Sequence, residues 1–215
     1  MKVLVVGATG GSGRAAVTAL LDRGHDVTVF VRNPETSGAI GERAAVVTGD
    51  ATHPDDVDVA VRGQDAVIVT LGISENPVRV RMRGPAGTAI DVRSRGTRNV
   101  LDAMRRHDVG RLVVQTSYGV GETRGKLPPR YALMFRALLG PQIRDTETQD
   151  ALVRGSDVNW TLVQPVNLTD DASGTATTST DGEVSAWHVA RRAVGEVLAD
   201  AVTRPDYVRR TISVS

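Results

Sequence analysis

Cysteine is absent from the 215 residues, which removes disulfides, thiolate catalysis, iron–sulfur clusters and the common zinc sites together. Lysine occurs only at Lys2 and Lys126, so any chemistry that needs a lysine amine has those two to draw on. Aromatic residues are scarce as well, two Trp, three Tyr and two Phe. Neither sign of charge dominates: 26 Lys+Arg face 25 Asp+Glu, for a net charge of +1. A phosphate-backbone binder or a polybasic membrane arm needs a one-signed excess, so neither nucleic acid nor a membrane is an expected partner. No apolar run approaches the roughly 18 residues of a bilayer span. The opening MKVLVVGATGG breaks at glycine after five apolar residues, which is not a secretory signal, so a cytoplasmic location is expected.

What is present is an ordinary globular composition, 40% apolar, enough for one sizeable core. Short β-branched runs alternate with longer helical patterns. The runs are residues 2–7, 26–31, 44–49, 65–72, 111–117, 160–165 and 211–215. Helical patterns fall at 12–23, 55–61, 89–107, 144–154 and 187–202. Continuous apolar runs of this kind are strands buried on both faces, and the alternation is that of a parallel sheet with helices on both sides. The expectation is a single α/β domain over 1–215, Rossmann-like and doubly wound. Its cofactor half covers 1–117, and substrate-side loops and helices fall within 118–210. The Ser/Thr/Gly/Asp-rich stretch 169–183 reads either as a flap over a site or as a surface excursion.

The first strand runs into Gly7-Ala8-Thr9-Gly10-Gly11-Ser12-Gly13, and a helix follows at once. A glycine-rich turn in that position sets backbone N–H groups and a helix N-terminus where a pyrophosphate sits. Gly7 permits the turn, Gly10 lets the backbone approach phosphate, and Gly13 allows close helix-to-strand packing. Gly11 completes the loop, while Thr9 and Ser12 add hydroxyls. No Lys-Ser/Thr pair follows, which excludes a nucleoside-triphosphate P-loop.

The second strand ends at Arg32 rather than at an acid, so a guanidinium is available for a 2′-phosphate, and NADP(H) is expected in preference to NAD(H). Asp50-Ala51 closes the third strand and Leu71-Gly72 the fourth, at the carboxyl ends where ligands bind in open α/β sheets. Asp50 either accepts from the adenine amino group or caps the helix after it. The four histidines have no metal-ligand spacing and no serine elbow, so neither a metal nor a triad is expected. The segment LPPRYALMFRALLGPQ, 127–142, is a candidate for the substrate mouth, a subunit contact or plain core.

The blocks VVGATGGSGRAAV, VRNP, GDATHPDDVDVAVRGQDAVIVTLG, GTRNVLDAM, RLVVQTSYGVGE and WHVARRAVGEVLAD stand in the order of the atypical short-chain dehydrogenase/reductase family. The chain resembles its NmrA-like and flavin/biliverdin-reductase-like members over most of its length. The resemblance implies NADP(H) across the strand ends, with the nicotinamide near Thr116, Ser117 and Tyr118 and near Pro165, Val166 and Asn167. The better-known dehydrogenases of the superfamily use a tyrosine acid whose pKa is lowered by a lysine four residues on. Here Glu122, Phe135 and Thr211 stand four residues after the three tyrosines. Hydride transfer needs mainly alignment, and a flavin, quinone or linear tetrapyrrole takes its proton from water. A small conjugated acceptor is therefore expected, oriented by Ser117 and by Tyr118, the latter also a weak proton donor. The alternative is a non-catalytic NADP(H) sensor that acts through a protein partner, and a homodimer is a further expectation.

Overall fold

A computed structural model describes residues 1–73, 84–171 and 174–215, and the side chains of 129–139 fall outside the description. In chain order the first half comprises β1 (Lys2–Val6), α1 (Gly11–Asp22), β2 (Asp26–Val31), β3 (Ala45–Thr48), α2 (Pro54–Val61), β4 (Ala66–Val69), α3 (Val92–Arg106) and β5 (Arg111–Gln115). The second half comprises α4 (Pro129–Arg154), β6 (Asn159–Pro165), β7 (Asn167–Thr169), β8 (Thr178–Ser179), β9 (His188–Ala190), α5 (Arg191–Thr203) and β10 (Arg210–Val214). The main sheet has the order β3-β2-β1-β4-β5-β6-β10-β8, parallel except for β8, which runs antiparallel to β10. The strand order reverses beside β1, which pairs with β2 on one side and β4 on the other. That reversal opens a crevice at the carboxyl ends.

Period-two alternation along β1 explains the double winding. Val3 and Val5 join the core under α1 and α5, while Leu4 and Val6 join the core under α2 and α3. All four are 1% exposed or less, so β1 is the rigid floor on which the following loop stands. On one face α1 and α5 pack closely because Gly195 has no side chain: a methyl group there would lie 2.4 Å from the Ala15 Cβ. Among the described residues no helix is long and apolar enough to cross a membrane.

Three expectations need correction. The run at 44–49 is not buried on both faces. β3 is an edge strand and Val46 is 38% exposed, because edge position depends on topology rather than on local composition. The pattern at 187–202 is not one helix either, since 188–190 pair as a strand with β7 before α5 begins. Nor is 169–183 loop throughout: among its described residues Thr178 and Ser179 pair with β10, and the Lys126 ammonium engages the Asp181 carbonyl and, at 3.0 Å, the Glu183 carboxylate. Most side chains of the 127–142 segment lie outside the described residues.

Candidate functional site

Chain geometry builds the glycine-rich loop. Gly7 turns the chain out of β1 at φ +91°, a left-handed conformation that favours glycine. Thr70, just past β4, closes over it: its hydroxyl donates to the Gly7 carbonyl at 3.1 Å and to the Val6 carbonyl at 3.3 Å. The Gly7 carbonyl also accepts the Gly10 N–H at 3.1 Å. A methyl group on Gly13 would stand 2.2 Å from that oxygen, so α1 can begin only where a glycine allows it. A methyl on Gly10 would meet only the Gly7 oxygen, at 3.5 Å, which leaves its outer side open. Gly10 is the N-cap of α1, no side chain caps the helix and no acid lies in its first turn. Its first N–H groups and positive dipole end therefore remain for an external anion.

This loop forms one wall of a cleft of about 870 Å³ along the carboxyl ends of β1 to β5. That volume falls within the roughly 300–1,000 Å³ typical of ligand sites, at the end suited to an extended molecule. Thr9, Gly11 and Ser12 line it together with Gly7, Gly10 and Gly13. Arg32, Asp50, Ala51, Leu71 and Gly72 line it farther along, so the structure brings these expected cofactor residues to one cleft, the first three where β2 and β3 end and the last two past β4.

Arg32 spans the rim, donating to the Gly87 carbonyl and, at 3.3 Å, to the Thr88 hydroxyl. Asp50 is not the cap of α2, a position held by His53 without a side-chain bond. Its Oδ1 instead accepts the Thr52 N–H and hydroxyl, both at 2.8 Å. Burial raises the Asp50 pKa, but the Thr52 hydrogen bonds and the nearby His53 and Arg32 charges outweigh it and hold the carboxyl below its usual value. The acceptor capacity needed for an amino group is thus kept. Asn99 reaches from α3 to bond the Ala51 carbonyl at 2.8 Å and fixes this loop from below.

Beyond β5 the structure separates the expected residues from the cleft. Thr116, Ser117, Tyr118, Pro165 and Val166 do not line it, whereas Gln115 does. The chain after β5 continues alongside β6: the Thr116 N–H donates to Val163 at 2.9 Å and the Tyr118 N–H to Pro165 at 3.0 Å. The Val166 N–H donates to Val214 at 3.0 Å, which ties the end of β6 to β10. Tyr118 is drawn into the core under α1 and α5, 4% exposed, with its ring edge-on to Trp187 at 5.9 Å. Its hydroxyl donates to the Gly182 carbonyl at 3.0 Å.

Burial pushes the Tyr118 phenol above its usual pKa, and the Lys126 charge offsets this only in part. A proton-donating role for Tyr118 does not follow from this placement, because the proton is already committed and the acid is weakened. Ser117 makes only a 3.4 Å contact with the Tyr118 carbonyl.

Sequence reasoning missed Thr70, Arg93, Gln115, Asp170 and Arg191, all of which line the cleft. Arg191 opens α5 and lies across the phosphate loop, since a methyl on Gly11 would be 2.4 Å from its Cδ. Its guanidinium pairs with Asp170 at 2.6 Å. The sequence carried no signal for this, because the helical pattern runs from 187 and only the pairing of 188–190 with β7 moves the helix start to Arg191.

Residues 7–205 match the protein family described as NAD(P)H-binding. An uncharacterized chloroplastic protein of Arabidopsis thaliana is 29% identical over 221 residues, which is 99% of this chain and 76% of its own length. A 3-beta-hydroxysteroid dehydrogenase of Mycolicibacterium neoaurum is 35% identical over 55% of this chain, which spans only 32% of that protein's length. Among solved structures, ChuY, an anaerobillin reductase of Escherichia coli O157:H7, shares the fold with a TM-score of 0.80 at 22% identity, over 100% of this chain and 96% of that one. A short-chain dehydrogenase/reductase of Veillonella parvula in complex with NADP gives 0.78 at 19% identity, over 100% and 94%.

Proposed function

The chain belongs to the NAD(P)H-binding family, and on that footing we propose that it is an NADPH-dependent oxidoreductase passing hydride to a small conjugated acceptor such as a flavin, a quinone or a linear tetrapyrrole. When bound, the reduced nicotinamide supplies the hydride. The protein's part is to hold and to orient. Gly10 and the free N–H groups of α1 would take the pyrophosphate, Arg32 the 2′-phosphate, and Asp50 the adenine amino group. Gln115 would orient the reacting end.

One observation carries this reading. Among the described residues the cleft lining holds two carboxylates, Asp50, turned onto Thr52, and Asp170, paired with Arg191, so no unengaged acid among them stands beside Gln115 and Arg93. A simple ketone would leave an alkoxide without a donor, whereas a conjugated acceptor spreads its charge and collects a proton from water. The test is a panel followed at the NADPH absorbance, with riboflavin, menadione and biliverdin set against cyclohexanone. We expect kcat/KM at least about 100-fold higher with the best conjugated acceptor, a difference of about 2.7 kcal/mol. Stoichiometric NADPH binding with no turnover of any conjugated acceptor would overturn the proposal.

A second reading, a redox sensor acting through a protein partner, draws support from the Tyr118 and Lys126 bonds that clasp 181–183 to the loop after β5. It requires NADP+ and NADPH to differ in affinity. Equal affinities count against it, because a ligand without differential affinity shifts no equilibrium.

A further inference from the structure

We propose that Arg93 recognises the acceptor, and that the acceptor carries an oxyanion, a carboxylate or a phosphate, beside its conjugated system. The inference rests on the oxidoreductase reading and names the substrate class for the same cleft.

Three arginines among the described residues border the cleft. Arg32 stands at the β2 end, where it would take the cofactor's 2′-phosphate, and Arg191 pairs with Asp170. Arg93 is different. Its Nη1 donates to the Leu71 carbonyl at 2.7 Å, and its Nη2 lies against Gly72, where a methyl group would be 2.9 Å away. No carboxylate among the described residues forms a salt bridge with it. The nearest acid, Asp145 of α4, has both oxygens occupied as the cap of α3, accepting the N–H groups of Arg93 at 3.0 Å and Ser94 at 3.1 Å.

That arrangement has two consequences. The end of α3 is already capped, so the helix terminus itself is closed to a ligand. The guanidinium is held in place by the Leu71 carbonyl while Nε and Nη2 have no hydrogen-bond partner among the described residues. Burial lowers the Arg93 pKa, and the Asp145 charge opposes this only partly. The half-buried guanidinium, with no carboxylate paired to it among the described residues, gains a charge partner when an anion arrives. The planar fork suits a two-oxygen anion.

Location selects the acceptor over the cofactor. Arg93 and Gln115 stand where β4 and β5 end, whereas Arg32 and Asp50 mark the adenosine end at β2 and β3. Gln115 adds an amide oxygen with no hydrogen-bond partner among the described residues. Amide oxygen and nitrogen exchange places readily, so this side chain can meet a donor or an acceptor on the incoming molecule. Gly72 also gains a role: the missing side chain makes room for the guanidinium.

The test uses the NADP+-loaded protein and two redox-inert probes of one shape, 1-naphthoate and 1-naphthamide, titrated by calorimetry. The wild type is expected to bind the carboxylate at least about tenfold tighter than the amide. Arg93→Gln, which removes the charge and the fork, should erase that preference while NADP+ affinity stays within about twofold. Arg93→Lys keeps the charge without the fork and should retain part of the preference, and it serves as the second variant if the glutamine form is unstable. Absence of a preference in the wild type overturns the proposal. So does a parallel loss of NADP+ and naphthoate in Arg93→Gln, which would assign Arg93 to the cofactor. Turnover is measured separately: failure to oxidise NADPH would refute the reductase reading and leave the binding result to stand or fall on its own.

Discussion

Gly13→Ala is expected to abolish saturable NADPH binding and to lower stability by about 1–3 kcal/mol, the usual range for forcing an extra carbon into a packed site. The new methyl would lie 2.2 Å from the Gly7 carbonyl oxygen and 2.9 Å from the Thr70 hydroxyl. Neither can yield cheaply. The Gly7 oxygen accepts hydrogen bonds from both the Gly10 N–H and the Thr70 hydroxyl, so moving it breaks the turn that presents α1. The helix start would have to shift away from β1, carrying its N–H groups off the phosphate position. Gly10→Ala separates binding from folding. Its nearest contact would be 3.5 Å, so stability should change by less than about 0.5 kcal/mol. Binding should still fall at least tenfold, because the methyl would occupy the open side of the loop. Urea denaturation and calorimetric titration of both variants check this, and NADPH affinity unchanged in Gly13→Ala would contradict it.

Arg111→Ala is expected to cost about 3–5 kcal/mol, a large share of the roughly 5–15 kcal/mol that holds a domain folded. Arg111 is 9% exposed at the start of β5 and, among the described residues, faces no carboxylate. Its Nε donates to the Val202 carbonyl at 3.2 Å, its Nη2 to the Thr161 hydroxyl at 2.7 Å, and further bonds reach the Asn159 and Ala201 carbonyls. Val202 and Ala201 belong to the last turn of α5, so the counter-charge is the negative end of a helix dipole. Burial drags the guanidinium pKa down to about 10, still well above neutral, so the charge persists.

Removing the side chain leaves several carbonyls without donors, each worth about 1–3 kcal/mol of desolvation, partly regained if water enters. Arg111→Met fills the stem's volume but restores no donor, so it should recover less than half the loss. Because Arg111 sits at the amino ends of the strands, NADPH affinity of the folded variant should be unchanged. A loss below about 1 kcal/mol in denaturant melts would contradict this account.

Legibility differed between the halves of the chain for a physical reason. In the cofactor half, function is local: a buried strand, a turn whose glycines are forced by contacts within a few residues, and a helix. Gly7 and Gly13 could therefore be assigned roles that the backbone and contacts repeat. The substrate half depends on elements distant in sequence. Arg191 reaches the phosphate loop only because α5 packs on α1, and no spacing encodes that. His188–Ala190 form a strand only because β7 lies beside them. Tyr118 has the right position after β5, but its ring direction is settled by Trp187 and Gly182, some 60 residues away by the 64-residue separation of its hydrogen bond. Asp50 is an intermediate case: its carboxyl turns onto Thr52, two residues on, and the N-cap of α2 falls to His53, a local geometry that the residue types alone leave open.

The central claim is that the cleft selects a 2′-phosphorylated dinucleotide through Arg32. Equilibrium titration of the wild type and Arg32→Ala with NADPH and NADH tests it most directly. The wild type should bind NADPH at least tenfold tighter than NADH, as a charge-assisted hydrogen bond worth about 1.5–3 kcal/mol requires, and Arg32→Ala should level the two. NADH bound as tightly as NADPH by the wild type, or a preference that survives in Arg32→Ala, would contradict the account.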